Sequence, residues 1–173
     1  DAFLQDGMIE VGEGAHPVFF DYNADGLMDI VVGSYGNFNP AVGPLLYESG
    51  LWLYENIGTA TTPVYQLITT DYIGISTMNL DIAGSRPTLG LAPTFGDIDS
   101  DGDLDMLLGD YNGYIHYFVN TAGAGNPAAF TLAAPEYLGI DVGNDATPLL
   151  YDLNNDLLLD LIILIISKNS IAA

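Results

Sequence analysis

Asp97-Ile98-Asp99-Ser100-Asp101-Gly102-Asp103-Leu104-Asp105 runs directly into Met106-Leu107-Leu108-Gly109, and this joining of an acidic loop to a short apolar run decides the fold. Oxygen-bearing side chains stand at loop positions 1, 3, 5 and 9, with glycine at position 6. The spacing recurs in Asp21-Tyr22-Asn23-Ala24-Asp25-Gly26-Leu27-Met28-Asp29, which leads into Ile30-Val31-Val32-Gly33. It recurs again in Asp152-Leu153-Asn154-Asn155-Asp156-Leu157-Leu158-Leu159-Asp160. Alternate residues of a tightly wound loop can turn their oxygens inward, and hard Ca²⁺ takes about six to eight oxygen ligands at about 2.3–2.6 Å. The expected ligands are Asp21, Asn23, Asp25 and Asp29 in the first loop, Asp97, Asp99, Asp101 and Asp105 in the second, and Asp152, Asn154, Asp156 and Asp160 in the third. The backbone carbonyl at position 7, on Leu27, Asp103 or Leu158, adds one more, and glycine at position 6 permits the sharp turn.

An EF-hand opens in the same way but needs a bidentate Glu at position 12 and a helix on each side. Position 12 here is Val32, Leu108 or Ile163, each inside an apolar run. The sites are therefore expected to be strand-loop-strand hairpins in which the ion is structural. Asp-Gly is also an ordinary turn-forming pair, but a plain turn does not require the same four oxygen positions three times. The third loop departs from the pattern: Leu157 replaces the position 6 glycine, and Leu164 replaces the glycine equivalent to Gly33 and Gly109. A leucine forced to positive φ is strained by roughly 1–2 kcal/mol, so two Ca²⁺ sites are expected, with the third weaker, distorted or empty.

Working outward, each loop follows a proline four residues before its first Asp, in Pro17-Val18-Phe19-Phe20, Pro93-Thr94-Phe95-Gly96 and Pro148-Leu149-Leu150-Tyr151. Downstream, Leu53-Tyr54-Glu55-Asn56 matches Tyr117-Phe118-Val119-Asn120, and Asp71-Tyr72-Ile73-Gly74-Ile75 matches Glu136-Tyr137-Leu138-Gly139-Ile140. The apolar runs are short and bounded by Gly, Pro, Asn and Asp, which predicts about four strands per unit and an all-β fold. The first unit is longer through two insertions with turn chemistry, Asn37 through Pro44 and Ser76 through Pro87, where extra length costs little. The expected organisation is one β-repeat region: residues 1–13 end a preceding unit, with Met8–Val11 as the candidate for its last strand. Residues 14–75 form the first repeat, 76–139 the second, and 140–173 a partial, degenerate third.

The 173 residues carry a formal charge of -21 on a chain that is 49% hydrophobic, too apolar for a disordered acidic tail. Arg86 and Lys168 are the only Lys or Arg residues, so 23 carboxylates cannot be neutralised within the chain, and bound metal is the natural substitute. Nucleic acid and anionic membrane surfaces, which need Lys and Arg, are excluded as partners. The longest apolar stretch, Leu157 to Ile166, contains Asp160 and falls well short of the roughly 20 residues that span a bilayer. With no cysteine there is no disulfide or thiolate site, and no leader pattern is visible from Asp1.

The pattern Phe-x-Asp-x-Asp/Asn-x-Asp-Gly-x-x-Asp, followed by an apolar strand and glycine, resembles the FG-GAP/VCBS repeat of integrin α-subunits and bacterial secreted proteins. Tyr54-Glu55-Asn56-Ile57-Gly58 and Pro63-Val64-Tyr65 resemble segments of bacterial surface members. The resemblance covers residues 14–173, most strongly before Leu157. It implies a β-propeller whose blades each carry a Ca²⁺ hairpin, with two full blades and partial flanking blades here, and an extracellular or cell-surface role in adhesion, matrix or ligand display. A closed propeller needs about four to eight blades, so the missing ones belong to a longer chain or to other copies, in a homo-oligomer or fibril. Leu161-Ile162-Ile163-Leu164-Ile165-Ile166, apolar on both faces, is the candidate for completing a neighbouring sheet.

No catalytic residues are expected. The clustered Asp residues are committed to the loops, His16 and His116 read as packing or surface residues, and Asp81 and Asp110 read as solvated loop charge. Trp52, Tyr54, Tyr114 and Tyr117 recur in strands, where aromatics pack between sheets, although they could also form a glycan-stacking surface. The function expected is a non-enzymatic, calcium-stabilised structural or adhesive repeat protein. The alternative is a carbohydrate-binding propeller module of a larger secreted protein or enzyme.

Overall fold

Proline marks one edge of the sheet in each of the three repeat units. Pro17, Pro93 and Pro148 lie opposite Val32, Leu108 and Ile163 in antiparallel pairs. Having no N–H to give a ladder, proline belongs on an edge strand, and the first strand of each unit is an edge strand. The computed structural model describes residues 9–38, 47–78, 80 and 89–165.

The first unit pairs β1 (His16–Phe20), β2 (Asp29–Gly33), β5 (Leu51–Asn56) and β6 (Tyr65–Thr69) in that order as one antiparallel sheet. The second repeats it with β7 (Ala92–Gly96), β8 (Asp105–Gly109), β9 (Ile115–Asn120) and β10 (Phe130–Ala134). The third contributes β11 (Ala146–Tyr151) and β12 (Asp160–Ile165). The chain is all-β, built of propeller-type blades of four, four and two strands. The first insertion adds a short ribbon of β3 (Asn37–Phe38) with β4 (Tyr47–Glu48); most of the second, with Asp81 and Arg86, lies outside the described residues, as does Lys168. Among the described residues no helix is long and apolar enough to cross a membrane.

The period of two along each strand sorts side chains between neighbouring units. Val31, Leu51 and Leu53 of the first unit meet Met106, Leu108 and Phe118 of the second in one buried cluster. Phe20 stacks on Phe95 at 4.1 Å between ring centres, and Phe130 tilts against both. Leu107 and Ile115 turn the other way to meet Ala146, Leu161 and Ile163 of the third unit. Tyr54 is buried and Trp52 half-buried against Ile30 and Val32, and Tyr117 packs on Tyr137, so these aromatics serve packing. The expected strand at Met8–Val11 is not formed over Ile9–Val11, and Met8 is outside the described residues. Val11 is instead buried against Ile30, Val32 and Tyr54, and Glu13 bridges Gly36.

Two glycines fix the distance between units. A Cβ on Gly33 would lie 2.1 Å from the carbonyl oxygen of Leu91, and one on Gly109 would lie 2.0 Å from that of Ala146. Leu91 N donates to Ser34 O, and Ala146 N to Asp110 O, so the following unit is hydrogen-bonded against the strand end at these points. Backbone cannot yield there as a flexible side chain would. Gly109→Ala is expected to lower stability by about 3 kcal/mol, the upper range of overpacking, read from the urea midpoint. An unchanged midpoint would show that the units are not seated this closely.

Candidate metal centre

Each acidic loop is wound by its own backbone. In the second, Asp97 accepts from the N–H groups of Asp101 (3.1 Å) and Gly102 (3.2 Å), Asp99 from Asp101 (3.2 Å), and Asp101 from Asp103 (3.1 Å). The first loop repeats the set with Asp21, Asn23 and Asp25, and the third with Asp152, Asn154 and Asp156. Position 6 has positive φ throughout: 85° at Gly26, 91° at Gly102 and 69° at Leu157. Position 4 does too, at Ala24, Ser100 and Asn155. The third loop thus keeps the winding and the hydrogen bonds of the other two, and the expectation of distortion is corrected. Leu157 bears the strain with its side chain 92% exposed.

The winding converges the ligand oxygens. Asp97, Asp99 and Asp101 each place a carboxylate oxygen within 4.8 Å of the other two. In the first and third loops position 3 is an amide, and Asn23 and Asn154 donate to Asp25 and Asp156 at 3.0 Å. The second loop has a carboxylate at position 3 and so no such internal donor. Its position 7 acid, Asp103, is buried with Oδ2 accepting from Gly123 N at 2.8 Å, while Oδ1 has no hydrogen-bond donor among the described residues. Loss of solvent raises Asp103 and Asp99 above the usual carboxylate range, and neighbouring Asp101 and Asp105 push both further. An all-oxygen, charge-dense cluster with an orphaned buried acceptor suits a hard divalent cation. No Lys or Arg lies among the described residues to take its place.

Position 9 does something the sequence did not reveal. Asp29 and Asp105 are fully buried. One oxygen of each accepts the position 2 N–H, from Tyr22 (3.1 Å) or Ile98 (3.2 Å). The other accepts the N–H ending the third strand, from Asn56 (2.7 Å) or Asn120 (2.8 Å). Those asparagines in turn accept from Gly58 and Val64, or from Ala122 and Ala129. The recurrence of Asn56 and Asn120 at matching positions was the available signal. Burial raises Asp29, against the lowering by its Asn56 and Tyr22 donors. Asp160 accepts from Leu153 N at 2.9 Å, but no third strand flanks β12 among the described residues. The carbonyl-bearing residues differ in setting: Leu27 is half-buried, Asp103 buried and Leu158 exposed.

Asp110 corrects another expectation. It is buried, not solvated: Oδ1 accepts from Tyr114 N at 2.9 Å, and Oδ2 lies 3.4 Å from Nε2 of His116, itself buried, whose Nδ1 meets the carbonyl of Pro135. The turn after Gly109 folds Asp110 back over β9, a proximity that sequence spacing does not express. Asp110→Ala is expected to cost about 1–3 kcal/mol by leaving buried polar groups unmatched, measured by urea unfolding; a loss under about 0.5 kcal/mol, the usual range for surface changes, would return Asp110 to solvent.

Ligand and framework roles separate experimentally. Asp105→Asn puts an NH₂ in place of one of two oxygens that each accept a backbone N–H, so it is expected to lower stability by about 1–3 kcal/mol even in chelator. Asp101→Asn is expected to cost stability only in calcium. Equal losses for the two variants in chelator would overturn the division.

The FG-GAP-like repeat family matches residues 21–108, from the first residue of the first loop to the penultimate residue of β8 and a little over half of the chain. No curated protein and no solved structure matches it. With the first acidic loop, the apolar strand β2 that follows it and its sheet neighbours β5 and β6 in that span, together with the second acidic loop, the chain belongs to the FG-GAP-like repeat family.

Proposed function

We propose that this chain is a non-enzymatic, calcium-stabilised repeat protein of the cell surface or extracellular space, with a structural or adhesive role. The observation that carries the reading is the convergence of Asp97, Asp99 and Asp101 on one point, with no Lys or Arg among the described residues to neutralise them. In the second loop these three side chains, Asp105 and the carbonyl of Asp103 would hold the ion. Asp21, Asn23, Asp25, Asp29 and the carbonyl of Leu27 form the corresponding set in the first. Asp152, Asn154, Asp156, Asp160 and the carbonyl of Leu158 form it in the third, weakened by strain at Leu157. The bound ion supplies positive charge; the chain supplies the winding and the anchorage through position 9.

FG-GAP repeats are typical of extracellular or surface proteins, and the Tyr54-Glu55-Asn56 and Pro63-Val64-Tyr65 segments favour the bacterial surface type. External calcium, commonly millimolar, suits sites of about 10⁻⁴–10⁻³ M. A site of about 10⁻⁴ M in millimolar calcium contributes about 1.4 kcal/mol by mass action. Sheets with unpaired edges further support assembly by blade completion between subunits, into an oligomer or fibril.

The test is thermal unfolding with calcium and with chelator. Calcium is expected to raise the melting temperature, and Asp99→Ala to remove part of that rise while leaving the chelated protein nearly unchanged. Identical melting curves in both conditions would end the structural-ion reading.

A further inference from the structure

Glu55 brings a carboxylate to the first loop from outside it. The residue is half-buried near the end of β5, the strand that pairs with β2. Its Oε2 accepts from the phenol of Tyr22 at 3.3 Å, and its Oε1 from Nδ2 of Asn23 at 3.4 Å. Tyr22 and Asn23 are positions 2 and 3 of the loop, so an acid 32 residues downstream lies against one of the candidate ligands. The contact fixes how that ligand faces, because an amide has one donor end and one acceptor end. Asn23 Nδ2 donates to two carboxylates, Asp25 at 3.0 Å and Glu55, while Oδ1 accepts from Asp25 N at 3.0 Å. Reversing the amide would set its oxygen against both acids. Glu55 therefore keeps the Asn23 oxygen turned into the loop, where a position 3 ligand is required.

The second loop meets the same need differently. Its position 3 is Asp99, and the residue equivalent to Glu55 is Val119. Each complete unit thus has one acid between these two places, on the third strand in the first unit and in the loop in the second. Over positions 1, 3, 5 and 9 and that third-strand residue, the first unit has Asp21, Asp25, Asp29 and Glu55. The second has Asp97, Asp99, Asp101 and Asp105, again four carboxylates. In the first, Glu55 and Asp25 share one neutral amide as their donor, with no Lys or Arg among the described residues to balance them. Two carboxylates gathered on a neutral group repel each other unless a cation lies near.

We propose that Glu55 is the fourth carboxylate of the first cation site: it positions Asn23 and supplies the negative charge that position 3 lacks, acting from behind the amide without binding the ion itself. The inference rests on the calcium reading and adds a residue that the loop pattern leaves out. Charge and hydrogen bonding can be separated, because Glu55→Gln keeps an acceptor for Asn23 and a partner for the Tyr22 hydroxyl while removing the charge. A unit charge about 6 Å from a divalent ion in a water-like medium changes its affinity about tenfold, and for a trivalent ion about thirtyfold. A purely structural support has no such dependence on the charge of the ion.

The experiment titrates the metal-free, full 173-residue chain with calcium, and separately with lanthanum(III), by two-dimensional NMR. The amide signals of Gly26 and Gly102, position 6 of each loop, report the two sites independently. Glu55→Gln is expected to raise the first-loop dissociation constant about tenfold for calcium and about thirtyfold for lanthanum(III). The Gly102 titration and the melting temperature in chelator should not move. Adding Asn23→Asp to Glu55→Gln, which returns the acid to the place it has in the second loop, should restore the first-loop affinity. An unchanged Gly26 titration in Glu55→Gln overturns the proposal. So does an equal loss for both ions, which makes Glu55 a structural support, or a loss at Gly102 as large as that at Gly26, which makes the effect global. If Gly102 responds to calcium and Gly26 does not respond even in the unaltered chain, the inference fails while the calcium reading stands in the second loop. If neither signal responds, the calcium reading itself falls and takes the inference with it.

Discussion

The buried carboxylate at loop position 9 is the interaction on which each unit depends. Asp29 and Asp105 sit at the start of the second strand, yet each is hydrogen-bonded both to the beginning of its own loop and to the end of the third strand. One side chain thereby ties three pieces of backbone, with Asp29 reaching across 27 residues of sequence to Asn56. A buried carboxylate without partners would carry a desolvation cost of several kcal/mol. Supplied with two backbone donors, it becomes the reason the loop closes at nine residues and the third strand stops where it does. The asparagine at that strand end carries the connection onward to the turn that opens the fourth strand.

On this frame the charge problem is local. The winding that satisfies the loop N–H groups also aims the outer oxygens of positions 1, 3 and 5 at one another, so folding concentrates negative charge where an unfolded chain would disperse it. An amide relieves this in the first and third loops through its donation to the position 5 carboxylate. The second loop has only carboxylates there, with Asp103 adding another behind them. The acidic cluster that could hold a metal ion is accordingly that of the second loop, although the family pattern is just as good in the first.

The all-β fold, the four strands of each full blade and the position of the acidic loops between strands were legible in the sequence because each rests on local chemistry: proline at an edge, alternation along a strand, and Asp-Gly at a turn. Position 6 was legible for the same reason. The inward role of position 9, the burial of Asp110 against His116 and the left-handed backbone at Ala24, Ser100 and Asn155 were not. The first two depend on which strand lies alongside, a tertiary fact, and the last occurs at residues with no common preference for positive φ. Gly33 and Gly109 stood out as a recurrent feature without a reason. The reason is a carbonyl of the next unit, on Leu91 or Ala146, whose approach no local pattern announces.

The third unit has lost two glycines, and their loss has different consequences. At position 6 the glycine relieves backbone strain, and Leu157 shows that the loop still closes without it because the remaining hydrogen bonds outweigh a cost of about 1–2 kcal/mol. At the end of the second strand the glycine makes room for the following unit, and no hydrogen bond can compensate for overlapping atoms. A repeat can tolerate the first change anywhere in a stack. It can tolerate the second only where nothing is stacked behind it in the same way, so Leu164 marks β12 as the place where the regular succession of units gives out.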